Sequence, residues 1–136
     1  MNLKTNKRMK QFVTLLVTTL FAASAFAGEF PDVSVSEVKA LSESKKGVII
    51  DVNGSDSYTK GHVPGALDYA VIKGDLAAAL PKDKNALIVA YCGGPKCKAY
   101  QAAATAAQKL GYKNVKHMSA GISGWKEAGQ KVEKSS

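Results

Sequence analysis

Leu87-Ile88-Val89-Ala90-Tyr91-Cys92-Gly93-Gly94-Pro95-Lys96-Cys97 is the stretch on which the reading of this chain turns. Its first five residues are a continuous apolar run, as expected of a strand buried on both faces of a parallel sheet. The run leads straight into a cysteine. Two glycines and a proline then turn the chain, and Lys98 to Leu110, dominated by Ala, Gln and Lys, reads as a helix stopped by Gly111. A cysteine at the carboxyl end of a parallel strand, ahead of a helix N-terminus, sits where α/β sheets place their ligand sites.

The chemistry of that position follows from backbone electrostatics. The first N–H groups of a helix lack intrahelical partners, and the helix dipole adds partial positive charge there. Gly93 and Gly94 allow the backbone to curl into an anion-binding nest, Pro95 fixes the far side of the turn, and Lys96 and Lys98 add cationic charge at its rim. Such surroundings favour thiolate, the nucleophilic form of Cys92. The same N–H groups suit a cysteine that attacks an anionic donor and carries the transferred group. The plainer alternative is a buried, inert strand-end cysteine.

Outward from this segment the chain alternates short β-branched runs with Ala/Leu/Lys-rich stretches, the pattern of an α/β domain with a largely parallel sheet. Ser34-Val35-Ser36-Glu37 has capping-box spacing and predicts a helix from about Val35 to Leu41. Val48–Val52 predicts a central strand ending in Asp51, followed by a turn in which Asp56 caps a short helix ending at Gly61. A short strand is expected around Ala66–Tyr69, a short helix over Asp75–Leu80 before Pro81, and a strand over Val115–Met118 turned by Gly121. The last helix is placed at Ile122–Ala128, and the tail Lys131–Ser136 is expected to fray.

The N-terminus reads as a targeting segment. Lys4, Lys7, Arg8 and Lys10 precede an apolar run from Phe12 to Ala22, and Ala25-Phe26-Ala27 supplies the small residues of a cleavage site. The run is short of the roughly 20 residues that span a bilayer. A signal peptide over residues 1–27, cleaved after Ala27, leaves a single domain over 28–136, periplasmic or secreted, with no membrane association after cleavage. Of 19 basic and 11 acidic residues, the leader holds four cations and no acid, so the mature charge falls from +8 to +4. No basic run interleaved with aromatics points to nucleic acid. The only arginine, Arg8, lies in the leader, so an anion here is held by lysines, backbone N–H groups or helix termini.

Cys92 and Cys97 are the only cysteines. As a structural disulfide they would close a very short loop, which stabilises a fold less than a long one. The pair is better placed to react than to staple. Asp51 is expected to accept backbone N–H groups of the next turn, His62 to bond backbone, and His117 to pack. Two isolated histidines and two cysteines at these spacings make no zinc site. Tyr58 and Trp125 read as core or core-edge residues, whereas Tyr91 and Tyr100 are candidates either for the core or for the pocket border.

Taken together, these motifs resemble a single rhodanese domain. Val48–Val52 with Tyr58 and Gly61-His62-Val63-Pro64-Gly65-Ala66 is similar to that family's first signature. Tyr91-Cys92 and its loop resemble the catalytic segment, and Gly111–Val115 with Gly121–Trp125 resemble the closing segments. The resemblance implies a rhodanese-like α/β fold, with a central, mostly parallel sheet of about five short strands flanked by helices on both faces. It also implies a sulfurtransferase. Cys92 would take sulfane sulfur from a small anionic donor such as thiosulfate as a persulfide, and pass it to a thiol, a partner protein or cyanide. Gly93, Gly94, Pro95, Lys96, Cys97 and Lys98 would form the substrate-binding loop, and neither metal nor organic cofactor is implied.

Three departures from the family pattern stand out. Asn53 occupies the position of a usual arginine, and the loop from Cys92 to Gly111 is slightly long. Cys97 ends the loop, either as a resolving thiol that attacks the Cys92 persulfide or as a packed helix-start cysteine. Two other function classes remain open: a sulfur-carrier or binding module without turnover, and a thiol–disulfide redox protein using Cys92 and Cys97.

Overall fold

The computed structural model describes residues 30–135. The signal peptide expected over residues 1–27 therefore lies outside the described residues. The chain runs α1 (Val35–Ser44), β1 (Gly47–Asp51), α2 (Ser55–Lys60), β2 (Leu67–Asp68), α3 (Tyr69–Ile72), a 3-10 turn (Lys73–Asp75), α4 (Leu76–Ala79), β3 (Leu87–Tyr91), α5 (Tyr100–Lys109), β4 (Asn114–His117) and α6 (Gly121–Glu127). The four strands form one sheet in the order β2-β1-β3-β4, and every pairing is parallel.

About five strands were expected, and four are present among the described residues. Where a further edge strand would lie, beside β4, there is only an isolated parallel bridge between Asp32 and His117. The reason is local. Pro31 has no N–H to give a ladder, and two residues after the bridge Ser34 already caps α1. The segment makes two backbone bonds, His117 N–H to Pro31 O and Val33 N–H to His117 O, and then leaves the sheet.

Capping chemistry sets several boundaries. The Ser34 hydroxyl accepts from Glu37 N–H at 3.1 Å while the Glu37 carboxylate accepts from Ser34 N–H at 2.7 Å, the reciprocal capping box. That pairing with Ser34 holds the Glu37 carboxyl below its ordinary range. Helix α1 runs past Leu41 to Ser44, where Lys45 takes the left-handed conformation. The N-cap of α2 is Gly54, with Asp56 inside the first turn rather than at the cap. Asp75 caps α4 through Ala78 N–H, and the helix ends ahead of Pro81 as expected.

Strand alternation sorts the core into two layers. Ile50, Ile88, Ala90 and Cys92 face Leu76, Leu80 and the alanines Ala103, Ala104 and Ala107 of α5. Ile49, Val89 and Tyr91 face Val38, Leu41, Val63, Met118 and Trp125. Burying each large apolar side chain contributes about 1.5–3 kcal/mol. The small α5 residues bring that helix close to the sheet. Because successive strand residues point to opposite faces, Cys92 belongs to the α5 side and Tyr91 to the other.

Tyr91 is the hinge between sheet and loops. It is paired in register with Asp51, and its hydroxyl donates to Asp51 Oδ2 at 2.5 Å while accepting from Val63 N–H at 3.0 Å. Asp51 Oδ1 accepts from Asn53 N–H. Both Asp51 and Tyr91 are fully buried. Burial raises the Asp51 carboxyl above its ordinary pKa, against the lowering pull of Tyr91 and the Asn53 N–H. Burial first, and then the Asp51 charge, push the Tyr91 phenol far up, so it remains a donor.

The C-terminal tail is pinned rather than frayed. His62 and Glu133 exchange two backbone hydrogen bonds, Trp125 Nε1 donates to Lys131 O at 2.9 Å, and Ser135 N–H donates to Thr59 O. Val132 packs against Gly61, where an added Cβ would come within 3.2 Å of Val132 Cγ2. The tail thus covers the turn that carries His62 and Val63.

Tyr91→Phe leaves the buried Val63 N–H without an acceptor and Asp51 Oδ2 without its donor. A loss of about 2–4 kcal/mol is expected in urea unfolding; a loss below half a kcal/mol removes Tyr91 from this role. A second prediction concerns His117, which is buried, stacked on Tyr100 and without a partner at Nε2. Burial lowers its pKa, opposed by the Asp32 charge. The unfolded chain therefore takes the proton first as pH falls below about 6.5, and stability drops until the folded-state histidine also titrates. Wild type should lose stability relative to His117→Phe between pH 7 and pH 5, and parallel stability–pH curves would contradict this.

Candidate active site

Cys92 follows the last residue of β3 and is only 1 % exposed. It is joined to Cys97 by a disulfide with a Cα–Cα separation of 6.2 Å, and no cysteine among the described residues is free. A bond closing so short a loop stabilises the fold by about 2 kcal/mol in the chain-entropy model. The turn returns Cys97 to its partner through Cys97 N–H donating to Gly94 O at 3.0 Å, with Pro95 and Lys96 exposed at its tip. Gly93, Gly94 and Cys97 are half-buried and Lys98 is exposed. The structure thus brings together all seven residues of the expected loop.

The glycines act differently from expectation. Neither Gly93 nor Gly94 has a positive φ, so the pair does not build a nest by alternating right- and left-handed residues. The need for space lies at Gly121 and, less strictly, at Gly94, since a Cβ on Gly93 would meet only Asn53 Oδ1 at 3.7 Å. Gly121, at the start of α6 with φ +63°, lies against them; an added Cβ there would stand 2.5 Å from Gly94 N and 2.6 Å from Gly93 C. A Cβ on Gly94 would approach Ser123 Oγ to 3.0 Å. The close approach lets two amides at the start of α6 reach the loop. Ile122 N–H donates to Cys92 O at 2.9 Å and Ser123 N–H to Gly93 O at 3.0 Å.

Helix α5 starts at Tyr100, two residues later than the composition suggested, with Ala99 as an N-cap that makes no side-chain bond. Gln101 and Ala102 donate to the carbonyls of Lys98 and Ala99, a tight entry of i to i+3 bonds. The helix that fastens the loop is α6. Gly121, Ile122 and Ser123 are therefore the site residues that sequence reasoning passed over. Gly121 was legible as a turn and as the start of a closing segment, but not as a neighbour of the cysteine loop; its closeness to Gly93 joins residues far apart in the chain.

Asn53 stands beside the loop. Its Oδ1 is 3.7 Å from where a Gly93 Cβ would sit, and its buried Nδ2 has no hydrogen-bond partner. A neutral donor takes the place where the family pattern has a guanidinium. His62 is engaged by its own turn and the tail: Nδ1 donates to Tyr58 O at 2.7 Å, Nε2 lies 3.5 Å from Glu133 Oε2, and the ring stacks on Tyr58 at 3.7 Å. Tyr58 itself donates to Ala66 O at 2.6 Å, and burial raises its phenol pKa. Tyr91 and Tyr100 are both core residues. No group of three or more His, Cys, Asp or Glu among the described residues is placed to hold a metal. A cleft of about 570 Å³ between Lys39, Ser42, Pro64, Trp125 and Lys131 includes none of the cysteine loop.

Known proteins place this arrangement. A thiosulfate sulfurtransferase from Pseudomonas aeruginosa is similar at 25% identity and a TM-score of 0.65, over 79% of this chain and 20% of that one. A rhodanese-like domain from Anabaena sp. (23% identity, TM-score 0.62, 79% of this chain and 81% of that one) and a human single-domain sulfurtransferase (24%, 0.55, 73% and 97%) share the fold. A curated relative, an HTH-type transcriptional regulator of Mycobacterium tuberculosis, is 30% identical over 106 residues, 76% of this chain. The chain spans 46% of that relative's length. The rhodanese-like domain model matches residues 34–128. That match reaches from the capping box of α1 to the end of the helix that holds the cysteine loop, and on it the chain belongs to the rhodanese-like domain family.

Proposed function

We propose that this domain is an exported sulfurtransferase in which Cys92 carries sulfane sulfur. The observation that supports the reading best is the position of Cys92, one residue past a central parallel strand in a turn tied to the start of α6. With the disulfide opened, the Cys92 thiolate attacks the outer sulfur of thiosulfate. The S–S bond of the donor breaks, sulfite leaves with the bonding pair, and a persulfide remains on Cys92. A thiol or cyanide then takes the outer sulfur and regenerates the thiolate.

The remaining loop residues have distinct parts in this scheme. Gly94 leaves room for Ser123 as Gly121 brings α6 against the turn, Gly93 offers its carbonyl to Ser123 N–H, and Pro95 stiffens the tip. The exposed Lys96 and Lys98 attract a small anionic donor as point charges rather than by a bidentate fork. Similarity to a thiosulfate sulfurtransferase supports thiosulfate as the donor class. Export rests on the leader, and the mature protein should begin at Gly28 when sequenced from the periplasm or medium.

The Cys92–Cys97 disulfide favours one second reading, a thiol–disulfide redox protein. Intact mass separates the two. Reduced Cys97→Ser incubated with thiosulfate should gain one sulfur atom, and reduced Cys92→Ser should gain none. A gain that persists in Cys92→Ser overturns the assignment. No gain in either variant, together with a two-hydrogen loss by reduced wild type under mild oxidant, favours the redox reading.

A further inference from the structure

Two facts about the loop have no role in simple sulfur transfer. The second thiol is bonded to the first, and the two differ in access: Cys92 is 1 % exposed, whereas Cys97 is half-buried at the outer end of the turn. We infer that Cys97 resolves the Cys92 persulfide, so that the domain releases sulfide and ends its turnover in the disulfide seen here, to be reopened by a dithiol reductant. The inference rests on the sulfurtransferase reading.

The step balances without any further oxidant. The Cys97 thiolate attacks Sγ of Cys92, the Cys92–sulfane bond breaks, and the outer sulfur leaves as hydrosulfide with the bonding pair and the persulfide proton. The sulfane sulfur is reduced to sulfide and the two cysteine sulfurs are oxidised to cystine. A dithiol then supplies two electrons and two protons by exchange. It enters at Cys97, the accessible sulfur, and expels Cys92 as thiolate, the form that attacks the next donor.

The geometry fits each part. A Cα–Cα distance of 6.2 Å lies within the range of ordinary disulfides, so Cys97 reaches Cys92 Sγ with the turn in its present shape. The Cys97 N–H to Gly94 O bond holds the turn at that width. The carbonyls of Cys92 and Gly93 are anchored on Ile122 and Ser123, so the nucleophile's backbone stays fixed while the partner thiol approaches. The loop also sets the acceptor class. A monothiol can take sulfur directly from the persulfide; clearing the intraloop disulfide takes two monothiols in succession or one dithiol, and the dithiol completes it in a single encounter.

The test is a single turnover without reductant. The mature wild type, Cys97→Ser and Cys97→Ala are reduced, freed of reductant under anaerobic conditions and given one equivalent of thiosulfate. Wild type should release close to one equivalent of sulfide and lose two hydrogens in intact mass. Both variants should retain a sulfur-sized adduct and release less than a tenth as much. Two variants guard against one that misfolds, and the wild-type result stands without either. A wild type that retains its adduct as long as the variants overturns the resolving role and leaves sulfur transfer intact. If neither the variants nor wild type gains sulfur or releases sulfide, the sulfurtransferase reading fails and this inference with it.

Discussion

The hydrogen bond from the Tyr91 hydroxyl to Asp51 ties the functional end of this domain to its sheet. The carboxylate, the phenol and the Val63 N–H are all buried, so losing any one leaves the others without water as a substitute. Asp51 ends β1, Tyr91 ends β3, and Val63 belongs to the turn covered by the C-terminal tail. One hydroxyl therefore sets the relative position of two central strands and a loop. The next residue in the chain is Cys92. Its position is inherited from the network beneath it, on the opposite face of the same strand.

The loop beyond Cys92 is held from the far side. Helix α6 comes close because Gly121 has no Cβ and takes a left-handed conformation, and its first amides meet the carbonyls of Cys92 and Gly93. Helix ends normally seek acceptors for these amides. Here the loop supplies them, so the turn is a cap for α6 as well as a carrier of the thiol. The disulfide adds a third tether, at the cost of occupying the sulfur that would react. On the proposed chemistry, the bond is one state of the site as well as a tether.

Electrostatically the site is built without arginine among the described residues. Lysines at the rim and an unpartnered Asn53 amide take the place of planar, bidentate recognition. Lys96 and Lys98 are exposed, and each carries a hydrated point charge rather than a planar fork.

Much of this could be read in the sequence because its signals are local. The apolar runs at Val48–Val52 and Leu87–Tyr91, the Ser34–Glu37 capping box, the glycine and proline stops and the strand–cysteine–turn order each depend on neighbours within a few residues. They were enough for a parallel α/β domain, its family and the place of Cys92 just past a central strand. The bridge that replaces a fifth strand and the pinned tail depended on pairings between distant segments, Asp32 with His117 and His62 with Glu133. So did the roles of Tyr91 and Gly121. A tyrosine in an apolar run looks like any core aromatic until a buried carboxylate stands beside it, and a glycine looks like a turn until another backbone packs against its missing side chain. Local chemistry is written in the order of residues; close approach and buried pairing exist only once the chain has brought remote residues together.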